Sequence, residues 1–194
     1  MYAVAGDASA RHLSGYKNCV QRRDRERHAD VVAAVLSGGL RHEPCVVAAV
    51  GIPISAYTVI PSLTSRPGRH PLTAIASSMC RVDEQMLTAT FDPPCDRTIR
   101  LDKFTVESSE AVHGRHVALV DDVWTTGANA QSAALTLRRA GAAAVSVLVV
   151  GRWVDPRQRA TARFIGQQWR PYDPLHCPVN ARKCCLRAGR ALSA

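Results

Sequence analysis

Two apolar runs, VALV at residues 117–120 and AVSVLVV at 144–150, broken only by Ser146, set the strongest limit on what this chain can fold into. Each has the length of a strand. Neither alternates with polar residues, so both faces of such a strand must be covered. Between them lies TGANAQSAALTLRRAG, small and apolar residues of helical character closed by Gly141. Continuous apolar strands separated by helices require a parallel sheet with helices on its faces, an α/β fold.

The alternation extends along the chain. RDRERHADVVAAVLSGGL turns from charged to apolar and ends at Gly38-Gly39, predicting a helix over Arg22–Leu40. CVVAAVGIP (45–53) reads as a strand stopped by Gly51 and Pro53. YTVIPSL (57–63) reads as a second strand ended by Pro61, and RHPLTAIASSMC (69–80) as a short helix. Residues 87–107 are irregular, with strand-like LTATF and FTVES around Asp92-Pro93-Pro94. Asp155 is expected as an N-cap, with Pro156 in the first position of a helix through PRQRATARFIGQQW. At 194 residues the expectation is one domain, with a core over about 22–170 and a Pro- and Cys-rich appendage over 171–194. The central sheet should be mainly parallel and flanked by helices. The N-terminal segment and the Cys-containing C-terminal tail should build a small hood.

Composition excludes some classes of function. No run of about 18 apolar residues is present, so no membrane span is expected. MYAVAGDASARHLSG lacks a charged stretch leading into an apolar core and does not read as a signal peptide, which points to the cytoplasm. The net charge of +9 comes almost wholly from arginine, since the lysines are Lys17, Lys103 and Lys183. Arginine's planar fork suits a phosphate-rich ligand or a nucleic acid. A GC-rich genome produces the same bias, so charge alone decides nothing. Aromatic residues make up 5% and form no basic, aromatic-rich stripe, which weighs against stacking on single strands.

The seven cysteines fit a reducing compartment. Cys19, Cys45, Cys80 and Cys95 stand singly and read as small buried hydrophobes. In the tail LHCPVNARKCCLR, His176, Cys177, Cys184 and Cys185 are potential zinc ligands. Their spacing matches no CxxC pair, and adjacent cysteines rarely ligate one tetrahedral ion. A packed tail helix carrying buried thiols is the favoured reading over metal.

The stretch VALVDDVWTTGAN, residues 117–129, carries the chemistry. After a strand, a Gly-containing turn that opens a helix aims backbone N–H groups outward, with the positive end of the helix dipole behind them. Thr125, Thr126 and Asn129 can add donors there, and Gly127 with Ala128 lets a phosphate approach closely. Asp121 and Asp122 repel phosphate but can accept hydrogen bonds from sugar hydroxyls. A ribose 5-phosphate satisfies both halves. The magnesium-binding strand of a P-loop NTPase also ends in acids, but it requires GxxxxGK[ST], and no lysine here follows a glycine. A plain capped helix terminus needs one such residue, not the whole string.

VALVDDVWTTGAN resembles the phosphoribosyl diphosphate motif of type I phosphoribosyltransferases. The wider pattern is most similar to the ComF-type, amidophosphoribosyltransferase-like branch. YTVIPSLTSRPGRHPLTAIAS and RTIRLDKFTVESSEAVHGRHVALVDDV resemble that family's loop regions, and the resemblance covers about residues 41–152. Gly68-Arg69-His70-Pro71-Leu72 departs from the family's segment of amide side chains, Asn129 replaces its usual Thr or Ser, and no N-terminal zinc ribbon precedes Arg22.

The resemblance implies transfer of ribose 5-phosphate from phosphoribosyl diphosphate to a nitrogen nucleophile, a nucleobase or an amine, with release of pyrophosphate. Magnesium would be held mainly by the substrate, touching Asp121 and Asp122 indirectly. The two aspartates would hold the ribose, and residues 125–129 the phosphate. Ser62, Leu63, Arg66 and Arg69 would face the pyrophosphate. Residues 87–107, with Arg97, Arg100 and Lys103, would close as a lid. Two other readings stand beside the enzyme: a non-catalytic sensor of the same sugar phosphate or a nucleotide, and a ComF-like protein of DNA uptake or nucleic-acid handling. The expected assembly is a homodimer.

Overall fold

The computed structural model describes residues 1–63, 69–90, 97–168, 172–174, 176–180 and 184. The elements run β1 (Tyr2–Val4), α1 (Ala8–Asn18), α2 (Arg22–Leu40), α3 (Glu43–Val50), β2 (Ile54–Val59), α4 (Pro71–Ser77) and β3 (Thr88–Ala89). A 3-10 turn (Leu101–Lys103) follows, then β4 (Phe104–Thr105), β5 (His116–Trp124), α5 (Ala128–Arg139), β6 (Ala144–Val154) and α6 (Arg159–Gln168). The fold is α/β. Its central sheet is parallel, in the order β1-β6-β5-β2. β3 and β4 form a separate antiparallel pair, with Thr88 opposite Thr105. No single helix among the described residues is long and apolar enough to cross a membrane.

Two expected elements differ. CVVAAVGIP is not a strand: its first six residues belong to α3. A short apolar run has no periodicity to separate a buried strand from a helix. Here Glu43 and Pro44 open the first turn, where a missing N–H costs nothing, and Ala48-Ala49 favour helix. The last helix starts at Arg159, not at Pro156. Asp155 instead folds back on its neighbour, Oδ1 accepting from the Arg157 backbone N–H at 2.9 Å while both oxygens hold the Arg157 guanidinium. Burial of Asp155 opposes this effect, but those hydrogen bonds dominate and hold its carboxyl below the usual value.

The chain falls into two compact units. The first comprises residues 1–42, 122–125 and 149–194. The N-terminal segment supplies β1, whose Tyr2, Ala3 and Val4 pair with Arg152, Trp153 and Val154 of β6. α1 then buries Ala10, Leu13, Gly15 and Tyr16. Its seat on α2 is set by a glycine. A Cβ on Gly15 would fall 2.2 Å from His28 Cδ2, so the imidazole packs directly against bare backbone. From there His28 Nδ1 meets His12 Nδ1 at 2.9 Å, one ring donating and the other accepting. α6 packs Phe164 edge-on to Tyr2, ring centroids 5.1 Å apart.

The second unit comprises residues 43–121 and 126–148. β2 and β5 run in register from Ala56–Val117 to Val59–Val120. Val117, Leu119 and Val120 are wholly buried, as the uninterrupted apolar run requires. His116 opens the strand with both ring nitrogens engaged, Nδ1 at the Ile52 carbonyl and Nε2 at Ser146 Oγ.

The histidine pair makes stability depend on pH. Burial, aided by His28, Arg11 and Arg27, holds the His12 imidazole below its ordinary value. The folded chain therefore binds fewer protons at this group than the unfolded chain. The stability it contributes is complete above the unfolded value of about 6.5 and is lost as pH falls through the lowered folded value. Thermal melts stepped from about pH 7.5 to about pH 5 should show a declining Tm, and His12→Gln should flatten that slope. Gly15→Ala should displace the His28 ring, costing roughly 1–3 kcal/mol against a helix-propensity gain of about 1 kcal/mol. Urea unfolding would show no loss if the ring has room to move.

Candidate functional site

β5 pairs with β2 as far as Val120, whose carbonyl accepts the Ile60 N–H at 2.9 Å. The strand then continues alone of β2 through Asp121 and Asp122 to Trp124. Successive strand side chains point to opposite faces, and the two aspartates have different surroundings. Asp121 is half-buried. Asp122 is 6% exposed. Its Oδ2 accepts the Tyr16 hydroxyl at 2.5 Å and is ion-paired with the Lys17 ammonium, so two neighbours on α1 hold one carboxylate. Tyr16 is itself buried.

The following turn has the form that the sequence requires. Thr125 and Thr126 are exposed. Gly127 is left-handed, with φ 79° and ψ 3°, a conformation that strains any side chain with a Cβ, and it is the N-cap of α5. Its carbonyl accepts the Gln131 N–H at 2.8 Å, closing the first helical turn. Thr126 Oγ1 accepts from Ala128 N–H at 3.3 Å. Ala128 is buried beneath the turn and Asn129 is exposed.

The other predicted residues are placed differently from one another. Ser62 is exposed and Leu63 half-buried in the segment after β2, while Arg66 lies outside the described residues. Arg69 is exposed but engaged: Glu84 binds its guanidinium at two points, one at 2.9 Å, and Ser77 Oγ accepts a third bond at 2.9 Å. Arg97 is exposed. Arg100 is paired with Asp102 through Nε and Nη2, and its backbone N–H donates to Ser132 Oγ of α5. Lys103, grouped by sequence with these loop cations, is wholly buried. Its Nζ donates to the Thr98 carbonyl at 2.7 Å and to Asn129 Oδ1 at 3.4 Å. It braces the loop against the first turn of α5.

The cysteine tail is described only at residues 172–174, 176–180 and 184, so most of the expected tail helix lies outside the described residues. Its described residues form turns and bends, not a helix. His176 is exposed and Cys185 lies outside the described residues. Cys177 and Cys184 are buried, and the soft side chains grouped with them are His42 and Cys45 from the end of α2 and the start of α3. Cys45 is therefore no lone hydrophobe. The signal that reaches it is the spacing His42-x-x-Cys45, which puts one ligand type in the turn before α3 and another three residues later in its first turn. A groove of about 930 Å³ beside β2, lined among others by Tyr57, Arg81, Asp83 and Arg115, contains none of the predicted residues.

Asp122 should carry more of the fold than Asp121. Removing a buried carboxylate strands the Tyr16 hydroxyl and the Lys17 ammonium together, so Asp122→Ala should cost about 3–5 kcal/mol in urea unfolding. Tyr16→Phe should cost less, roughly 1–2 kcal/mol, since it removes one hydrogen bond to a charged group. Equal losses for Asp121→Ala and Asp122→Ala would contradict this division.

No protein-family model and no curated protein matches the chain. Among solved structures it is similar to one described as the allosteric regulatory enzyme of purine biosynthesis, at 16% identity and a TM-score of 0.40. That likeness covers 63% of this chain and 26% of the other, so this chain spans little more than a quarter of that enzyme's length.

Proposed function

We propose that the chain binds phosphoribosyl diphosphate with magnesium at the end of β5 and transfers its ribose 5-phosphate to a nitrogen nucleophile, releasing pyrophosphate. One observation carries this reading: a parallel strand ending in paired acids runs through a left-handed glycine into a helix N-terminus. The 5-phosphate would sit against the turn, where exposed Thr125, Thr126 and Asn129 surround the positive end of α5. Asp121, the half-buried acid at the preceding strand position, would take the ribose hydroxyls. Its charge would favour the cationic ribose that forms as the C1–O bond breaks. Asp122 acts at one remove, fixing the strand end beneath Asp121.

Magnesium takes hard oxygen ligands, and the carboxylate of Asp121 with the substrate's diphosphate and hydroxyls provides that donor set. When bound it would neutralise the departing pyrophosphate. Pyrophosphate contacts would come from the backbone at Ser62 and Leu63. In this arrangement Arg69 and Lys103 are positioning residues, because both are held by protein acceptors.

A second reading, a non-catalytic binder of the same ligand, is favoured by the commitment of Asp122 to α1. The two readings separate on turnover. Calorimetric titration with magnesium phosphoribosyl diphosphate should show binding that Gly127→Val abolishes, through lost backbone approach, and that Thr126→Ala weakens by about 1–2 kcal/mol. Asp121→Asn should lower both affinity and pyrophosphate release in an enzyme, and affinity alone in a sensor. Unchanged affinity in Gly127→Val and Asp121→Asn would remove the site.

A further inference from the structure

We propose that His42, Cys45, Cys177 and Cys184 form a structural zinc site that fixes the C-terminal tail to the end of α2. All four are buried, and their ligand atoms lie within 4.8 Å of one another. Zinc held at about 2.3 Å from sulfur and about 2.0–2.1 Å from nitrogen places neighbouring ligand atoms of a tetrahedron about 3.6 Å apart. The described edge between Cys184 Sγ and His42 Nδ1 is 3.6 Å.

The chemistry of the cluster points the same way. His42 is 2% exposed, and the nitrogen it turns toward Cys184 Sγ is Nδ1. A metal taken by Nδ1 would leave the ring proton on Nε2. Cys177 Sγ accepts the Asn180 backbone N–H at 3.3 Å, a bond that favours sulfur as thiolate, the form that ligates. Three thiolates and one imidazole select a soft or borderline ion over magnesium or calcium. Four buried protein ligands leave no open position, which makes the site structural. Loading is balanced by release of three thiol protons to water, with no redox change.

The spatial logic is short. His42, Cys177 and Cys184 belong to one compact unit. Cys45 lies three residues after His42, in the first turn of α3. The site is independent of the proposed sugar phosphate site, which shares none of its residues.

Elemental analysis of the full chain, purified without chelator, should find about one equivalent of zinc. Cys45→Ser and Cys184→Ser should each lose it, and His176→Ala should keep it, since His176 is exposed and outside the cluster. Since cysteine variants can fail to fold, a second measurement uses the parent chain. After removal of the metal with a competing chelator, Tm should drop, and Co²⁺ should restore it with thiolate-to-cobalt charge transfer and tetrahedral d–d bands. No stoichiometric metal together with no such cobalt spectrum would overturn the site. So would zinc that survives Cys45→Ser but is lost in His176→Ala, which would assign it to the tail alone. Stoichiometric iron in place of zinc would overturn the choice of ion.

Discussion

One strand position cannot serve two faces, and at the end of β5 the chain needs both. Asp122 turns inward, where a phenol and an ammonium from consecutive residues of α1 hold its carboxylate. A charge removed from water to this extent is tolerable only because both partners arrive together. That makes α1 a condition for the strand end, and α1 in turn rests on a glycine thin enough to let an imidazole lie against it. Asp121, one residue earlier, occupies the alternate strand position. The division of labour follows from the two-residue repeat of a strand.

Much of this architecture is legible in the sequence where local chemistry is strong. The boundaries of α2 follow from charged residues at its start and Gly38-Gly39 at its end. β5 follows from an apolar run that has no polar face to offer. The strand at residues 45–53 fails because a short apolar run carries no period, and the decisive signals, Pro44 and the alanines, are weak ones. β1 and α1 are not announced by pattern. Three residues of strand are too few for one, and α1 draws its position from contacts with His28 and Asp122 that lie far away in sequence.

The candidate site divides along the same line. The strand–turn–helix of residues 117–129 is contiguous, so its residues keep their spatial relation wherever the fold puts them. Pairings made across the chain are not legible: Arg69 with Glu84, Lys103 with Asn129, and the grouping of Cys177 with His42. A search for ligands within the tail finds His176 and Cys185 because they are near in sequence. Among the described residues, the soft side chains grouped with Cys177 and Cys184 are His42 and Cys45, more than a hundred residues upstream.

The brace at Lys103 has a mechanical meaning. The ammonium joins the Thr98 carbonyl to Asn129 in the first turn of α5, while the Arg100 amide is tied to Ser132 one turn further along the same helix. Two attachments separated along a rigid rod remove rotation as well as translation. The span from Thr98 to Lys103 is therefore geared to α5: it cannot swing without breaking these bonds or tilting the helix with it. A displacement at the N-terminus of α5 would be felt at Arg100, and one at Arg100 would reach Gly127, before any side chain of the two had touched.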